Sequence, residues 1–458
     1  MRRAGLIVVV LLAACTGASG QTVFYWNQNY GTESNLLGGL VIGSVDDISA
    51  TYYNPGYLGL VREPGLILGA KIYEYSDYNI EIDEFTGEGL TSGGLTASPS
   101  FIAGSFRIDT AKIHKFYYSF LVRERSVLDF NIKSNELLPD DTQINARFSE
   151  VIVQRDLFEG WLGLSWGFSP VEHVGVGLTS YFAIRSDRLR NGDTRSSMAD
   201  TGTVQTSQVF YEYDYYNVRC LAKLGVFWDL SPFTVGFNVT SPSLSLFGNG
   251  NSLLHLTLAN EGRADTTTAG GVFVSDYQED LDARYKNPFS LGLGCSYKIG
   301  RSQVHFSVEW FDAIPEYTVL QNQPFVAQST GDTLSNNTSV ALRSVLNFGL
   351  GCKIYITEAV SLCGSLMLDH NAADSPNNFD FSGPDMTIYH VTTGSNMRIG
   401  STFLTAGLVF SYGNYPFETG DLWKEAAGER APGGSDSVLH GRLRQFRVKA
   451  ILSASFKL

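Results

Sequence analysis

The chain has 458 residues, a formal net charge of −13, 43% hydrophobic and 13% aromatic residues, 47 glycines and 14 prolines. An acidic chain without a basic stripe is a poor match for nucleic acid or for an anionic membrane surface. Moderate hydrophobicity with many aromatics and glycines suits a chain of many exposed strands better than a helical enzyme.

The first element is a leader. Arg2 and Arg3 precede an apolar run from Leu6 to Ala14, and small residues follow up to Gln21. That is the pattern of a secretory signal, and its apolar run is too short to span a bilayer as a helix. Ala18-Ser19-Gly20 suits ordinary signal cleavage before Gln21, the favoured reading, with residues 1–20 removed. Leu12-Ala13-Ala14-Cys15 also satisfies the bacterial lipobox, so a lipidated Cys15 stays open. Beyond the leader no run approaches about eighteen apolar residues, so no transmembrane helix is expected.

Residues 21–64 do not alternate and form a segment of their own. After Gly38, Gly39 and Gly43 comes Asp46-Asp47-Ile48-Ser49-Ala50-Thr51-Tyr52-Tyr53-Asn54-Pro55-Gly56-Tyr57-Leu58. Asp46 and Asp47 suit the cap of a short helix that must end before Pro55. Asn-Pro-Gly is a turn signal. An ordered, partly apolar segment ahead of a barrel fits best inside its lumen, as a hatch or plug.

From residue 65 to 458 the chain reads as a transmembrane antiparallel β-barrel, giving an all-β fold class. Near the C-terminus Phe446, Val448, Ala450, Leu452, Ala454, Phe456 and Leu458 share one phase. Gln445, Arg447, Lys449, Ser453, Ser455 and Lys457 share the other, with Ile451 the intruder. The same period of two runs through Tyr216–Trp228, Phe289–Ile299 and Val304–Trp310. No helix separates residues this way. A soluble sandwich shares the pattern, but these runs reach about ten residues, where soluble strands usually last about five or six.

Tight turns are expected near Ala111–Ile113, Pro170–Glu172, Leu230–Pro232, Gly300–Arg301, Thr357–Ala359 and Gly400–Ser401. Long outer loops are expected at Tyr75–Pro99, Ser126–Asp156, Asn191–Ser207, Gly248–Lys286, Glu316–Val340, Asn371–Asp385 and Asn414–Gly441. The count is about fourteen strands, with about twelve or sixteen also compatible. Thr387–Ile399 alternates poorly and Phe101–Ile108 is short.

The hatch residues resemble the N-terminal signature of the FadL-type outer-membrane transporters of long-chain fatty acids and aromatic hydrocarbons. The match runs through Asp46, Asp47, Ser49, Ala50, Tyr53, Asn54 and Pro55, with Tyr52 beside them. Gly56 stands in an alanine position of the motif and Tyr57 in a glycine position. The resemblance is specific over about twenty residues and is one of architecture beyond them. It implies a fourteen-stranded barrel with a periplasmic hatch and passive uptake of a hydrophobic ligand past that hatch. It also implies that the ligand leaves sideways through a gap in the wall.

Leu253, Leu254, Leu256 and Leu258 in the longest loop are candidates for ligand capture, with a β-hairpin above the membrane as the alternative. A competing function is a component of outer-membrane protein secretion built on the same barrel, and adhesion by the long loops is a third. Outer-membrane lipid and lipopolysaccharide are the expected surroundings, and a monomer is expected.

Catalysis, metal and cofactor are not expected. Gly163-Leu164-Ser165-Trp166-Gly167 fits a nucleophile elbow, but Ser165 falls in mid-strand without a following helix, and His173 and His305 lack useful spacing. Asp77, Glu81, Asp83, Glu84 and Glu88, and then Asp276, Glu279, Asp280 and Asp282, lack the spacing of a calcium loop. Cys220, Cys295, Cys352 and Cys363 are too far apart for a zinc or redox motif and are expected free. Arg219, Lys223, Arg343, Lys353, Arg398, Arg447 and Lys449 lie in or near the lumen phase. There they suit either a carboxylate head group or lumen acids such as Glu309 and Asp229.

Overall fold

The computed structural model describes residues 23–62, 65–82, 90–106, 113–137, 144–199, 202–259, 271–374, 386–418 and 440–457. The leader with Cys15, the acids Asp83, Glu84 and Glu88, and the centres of several outer loops lie outside the described residues.

Alternating side chains commit the chain to strands from Gly65 onward. β1 (Gly65–Ile82), β2 (Leu90–Phe106), β3 (His114–Leu137), β4 (Ile144–Val171), β5 (Val174–Ala199) and β6 (Val204–Leu230) follow one another as antiparallel neighbours. Next come β7 (Phe233–Thr240), β8 (Leu244–Ala259), β9 (Val272–Asp282), β10 (Ser290–Ile299) and β11 (Ser302–Phe311). Four short strands follow: β12 (Ile314–Leu320), β13 (Phe325–Val326), β14 (Thr333–Leu334) and β15 (Thr338–Leu342). The last are β16 (Val345–Tyr355), β17 (Val360–His370), β18 (Thr387–Ile399), β19 (Thr402–Glu418) and β20 (His440–Lys457).

The ring runs β1 to β7, then β10, β11 and β16 to β20, and it closes where Gly65–Ile82 pairs with Gly441–Lys457. That makes 14 strands in an antiparallel barrel. Closure removes both sheet edges, which a lipid environment requires of a β-structure. Among the described residues no helix is long and apolar enough to cross a membrane.

The two phases of each strand separate as the alternation requires. Leu164, Ile184, Leu224, Leu350 and Leu366 are exposed on the outside, while Gln445, Arg447, Lys449 and Ser453 are buried in the lumen. Ile451, out of place by polarity, is buried against the hatch core. The four described cysteines are all free, with Cys295 and Cys352 on the exposed outer surface.

The long polar stretches depart from the sequence expectation. Ser126–Asp156 and Asn191–Ser207 are for the most part not loops: β3 and β4 stay in register up to Leu137↔Ala146, and β5 and β6 up to Met198↔Val204. These strands have 24 to 28 residues, where a bilayer crossing needs about 9–11. Above the lipid both faces of a strand meet water, so polarity stops alternating while the hydrogen-bonded ladder continues. Pro242 ends β7, and the upper half of β6, Thr206–Cys220, pairs with β8 instead.

The segment ahead of the barrel fills the lumen. Helix α1 (Glu33–Leu36), helix α2 (Ala50–Tyr53) and a 3-10 turn (Pro55–Gly59) are joined by buried loop. Tyr30, Leu36, Leu37, Val41 and Leu58 pack on Phe101, Tyr117, Trp161 and Tyr181 of the wall. The hatch enters at the end of the tight turns, where the Gly59 backbone lies against Phe168.

Candidate functional site

The first part of the signature holds the hatch together, and the part from Thr51 to Gly56 docks it on the wall. Asp47 takes up the chain ahead of α2: Oδ2 accepts from Thr32 N (3.3 Å) and Thr32 Oγ1 (2.8 Å), and Oδ1 accepts from Ser49 N (2.8 Å). It caps the turn rather than the helix, since the residue before Ala50 is Ser49, which makes no side-chain cap bond. Asp46 is exposed, 3.9 Å from Lys353 Nζ. The helix stops at Tyr53, and Asn54 is extended, as a residue before proline prefers.

Asn54 is fully buried. Its Nδ2 donates to Ile42 O (2.8 Å) and Val226 O (3.0 Å), and its Oδ1 accepts from Gly56 N (3.0 Å). This approach requires glycine on the wall: a methyl group at Gly225 or Gly236 would overlap the Asn54 amide, and one at Gly177 would overlap Pro55 O. The Thr51 carbonyl accepts from Thr179 Oγ1 (2.9 Å) and from the Tyr181 hydroxyl. Asn238 Nδ2 donates to Tyr53 O at 2.6 Å.

A second set of contacts is electrostatic. Glu33 of α1 pairs with Lys353 and accepts from Asn396 Nδ2 (3.3 Å). Burial and the neighbouring Asp46 charge push the Glu33 carboxyl up to about 7, against the pull of Lys353. Arg447 and Lys449 both bond Asn27, and Arg123 donates to Tyr25 O.

Between the hatch and the wall lies a small cavity lined by Tyr25, Trp26, Ile42, Tyr52, Tyr53 and Lys223. It leaves about 20 Å³ for water-sized occupants, and about 10–15 Å³ suffices for one water. Lys223 is buried, with its Nζ 4.0 Å from Glu309 Oε1 and 4.8 Å from the Tyr52 ring centre. Glu309 is held by Trp26 Nε1 (2.9 Å) and Ser290 Oγ (3.0 Å). Gln28 Nε2 and Asn238 Oδ1, buried on residues lining the same cavity, have no hydrogen-bond partner among the described residues.

Of the lumen cations, Arg219 pairs with Glu159 and bonds Asn287, and Arg343 bonds Asn371 O (2.9 Å). Arg398 sits at the turn end, bonding Gly400 O at 3.3 Å. Asp229 is half-buried and accepts from Ser231 N of the turn (3.1 Å) rather than pairing with the cations grouped with it in the sequence reading.

The other candidates fall elsewhere. Leu254, Leu256 and Leu258 are buried with Val274 and Ala327 in a separate core, while Leu253 is half-buried. Their segment is the β8–β9 hairpin, paired from Asn249↔Asp282 to Leu258↔Val272, with Phe325 and Leu334 packed on it. Ser165 is a buried lumen residue sharing a hydrogen bond with Thr179 (2.8 Å). His173 lies in the β4–β5 turn, and His305 bonds Ser44 Oγ at 2.7 Å. Among the described residues no group of side chains could hold a metal ion. The sequence reading missed Tyr25, Trp26, Gln28 and Tyr30, whose one local signal was an aromatic-rich stretch ahead of the glycines.

Barrel, hatch and cavity together define a class: a multi-pass outer-membrane barrel of fourteen strands whose lumen is closed by its own N-terminal segment. No family model and no curated protein matches the sequence. Solved structures do share its fold. A Pseudomonas aeruginosa FadL homologue aligns at 15% identity and TM-score 0.57 over 96% of this chain and 100% of its own. The Ralstonia pickettii toluene transporter TbuX aligns at 14% and 0.55, over 94% and 98%. The P. putida toluene transporter TodX aligns at 13% and 0.57, over 94% and 99%. The chain therefore has the fold of the FadL-type barrels, as its hatch signature implied.

Proposed function

We propose that this protein is a passive outer-membrane channel for hydrophobic small molecules, and that it favours those carrying a carboxylate, such as long-chain fatty acids. The observation that carries this reading is the chemistry of the cavity beside the hatch. Four aromatic rings offer an apolar lining, and buried Lys223 offers a cation whose nearest carboxylate stands at 4.0 Å. Gln28 Nε2 adds a donor without a partner. A neutral hydrocarbon such as toluene has no use for a buried ammonium, whereas a carboxylate gains a charge-assisted hydrogen bond there.

The cavity in this state holds water-sized molecules only, so a ligand enters as the hatch shifts. Transport is then a change in hatch position driven by ligand binding, without an energy source. The leucines of the β8–β9 hairpin serve capture once the roof of Phe325 and Leu334 lifts. The test is uptake of a labelled long-chain fatty acid by cells lacking their own transporter. The cells express this protein or a variant without Gln21–Asn35. Saturable uptake that the truncation alters is the expected result. No uptake by folded, inserted protein would remove the fatty-acid reading and leave either a different hydrophobic ligand or the secretion-component alternative.

A further inference from the structure

The wall has a seam. Among the described residues β2 and β3 share a ladder only from Phe101↔Leu121 to Phe106↔Phe116. Beyond it each strand keeps just its other neighbour: Leu90–Pro99 stays on β1, and Glu124–Leu137 stays on β4. Irregularities flank the seam at one level. Ser100 is skipped between Phe101 and Pro99 on one lip, and Arg123 between Val122 and Glu124 on the other. Pro99 has no N–H to offer across the gap, and the buried Ser100 Oγ has no partner.

Tyr30 of the hatch stands at this point. Its side chain is fully buried, and its hydroxyl donates to Val122 O (2.9 Å), one residue beyond the last β2–β3 pair. Its ring lies 5.6 Å from Phe101 on the opposite lip and 4.7 Å from Tyr52, which lines the cavity. Tyr30 is therefore the side chain between cavity and seam. Its own backbone is tied to the hatch, since Tyr30 N donates to the Tyr53 hydroxyl at 2.7 Å.

We propose that Tyr30 is the gate residue of the lateral exit: its ring fills the passage from cavity to seam, and its hydroxyl pins the hatch to Val122. The proposal rests on the channel reading, and it assigns to one residue the coupling between hatch and exit. A shift of the hatch withdraws Tyr30 and opens an aromatic path past Tyr52 and Phe101 to the bilayer. No outward motion of the strands is needed, because the ladder there is already interrupted.

Two readouts on the full chain in lipid vesicles test it, with the mobility of unheated protein in a gel as the check on folding. The first is transfer of a bound fluorescent fatty acid from protein to bilayer. Tyr30→Phe keeps the ring and removes one hydrogen bond, so transfer is expected to quicken about fivefold. Tyr30→Ala is expected to quicken it further. A disulfide between Ser100→Cys and Val122→Cys is expected to block transfer while binding persists.

The second readout needs no ligand. With Cys220, Cys295, Cys352 and Cys363 replaced by serine, a thiol at Phe101→Cys is exposed to a maleimide dissolved in the bilayer. Labelling is expected to be slow with Tyr30 present and several-fold faster with Tyr30→Ala. Equal labelling in both backgrounds would overturn the gate, as would unchanged transfer with the seam locked. Failure of the unmodified protein to bind the fatty acid would count against the channel reading, and the labelling result would decide the gate independently.

Discussion

The Asn54 side chain makes three hydrogen bonds inside the lumen, joining two turns of the hatch to β6 of the wall. Replacing it with alanine leaves the Ile42 carbonyl and the Gly56 N–H, both buried, without this partner, at a cost of about 1–3 kcal/mol each. Asn54→Ala is expected to raise hydrogen exchange across the hatch amides while the wall stays protected. Equal protection in both proteins would show that the hatch does not depend on this anchor. Lys223 carries the ligand prediction. Lys223→Met is expected to weaken binding of a fatty-acid carboxylate about tenfold or more, the value of one charged hydrogen bond, and to leave toluene binding unchanged. Titration calorimetry on the purified barrel reads this directly, and equal losses for both ligands would remove Lys223 from head-group recognition. Asn54 was legible from its motif. Lys223 was one of seven cations in or near the lumen phase, and only its place beneath the Tyr52 ring singles it out.

At the scale of elements, the hatch is held by contacts that respond to pH. The Glu33 carboxyl goes from an ordinary value of 4.5 to about 7 when docked, so the docked state binds the proton more tightly. Docking is therefore strongest below about pH 4.5, weakens as the pH rises through about 7, and is level above that. Asp46, Lys353 and Asn396 face this group and shape the effect. Hatch exchange, corrected for its intrinsic pH dependence, is expected to be faster at about pH 8 than at about pH 5. Burial and Asp46 also raise the Asp47 carboxyl of the hatch, so Glu33→Gln is expected to reduce the pH dependence without abolishing it, and an unchanged profile in that variant would place the titration elsewhere. The strands show a related limit of sequence reading. Thr387–Ile399 alternates poorly yet forms β18, because Ser395, Asn396 and Arg398 lie near the turn end, where the wall leaves the lipid. The upper halves of β3 and β4 and the ends of β5 and β6 read as loops in the sequence for the same reason, since water on both faces erases the signal that lipid writes.

For the whole molecule, the apolar outer surface decides where the protein resides. Leu164 is exposed within that belt, whereas Val326 is exposed on β13, outside the ring. Leu164→Arg is expected to lower the stability of the barrel in lipid vesicles by about 2–4 kcal/mol, and Val326→Arg to change it little. Denaturant titration of folding into vesicles measures both. Equal effects would mean that the belt lies elsewhere on the wall. The strand number belongs to this scale too. Segment counting reached about fourteen with neighbouring even numbers open, and the pairing of Gly65–Ile82 with Gly441–Lys457 settled it.

Local patterns in the sequence determined the barrel itself: the phase of the strongly alternating strands, most of the tight turns, and a hatch helix that ends before Asn54-Pro55. These follow from the polarity of residues two apart and from the backbone limits of proline and glycine, so each is written within a few positions. Only the tertiary structure decided how the hatch sits and what it closes. Glu33 meets Lys353, Trp26 meets Glu309, and Tyr30 meets Val122. Each of these pairs joins residues far apart in the chain, and they come together only once the ring has closed around the segment that precedes it.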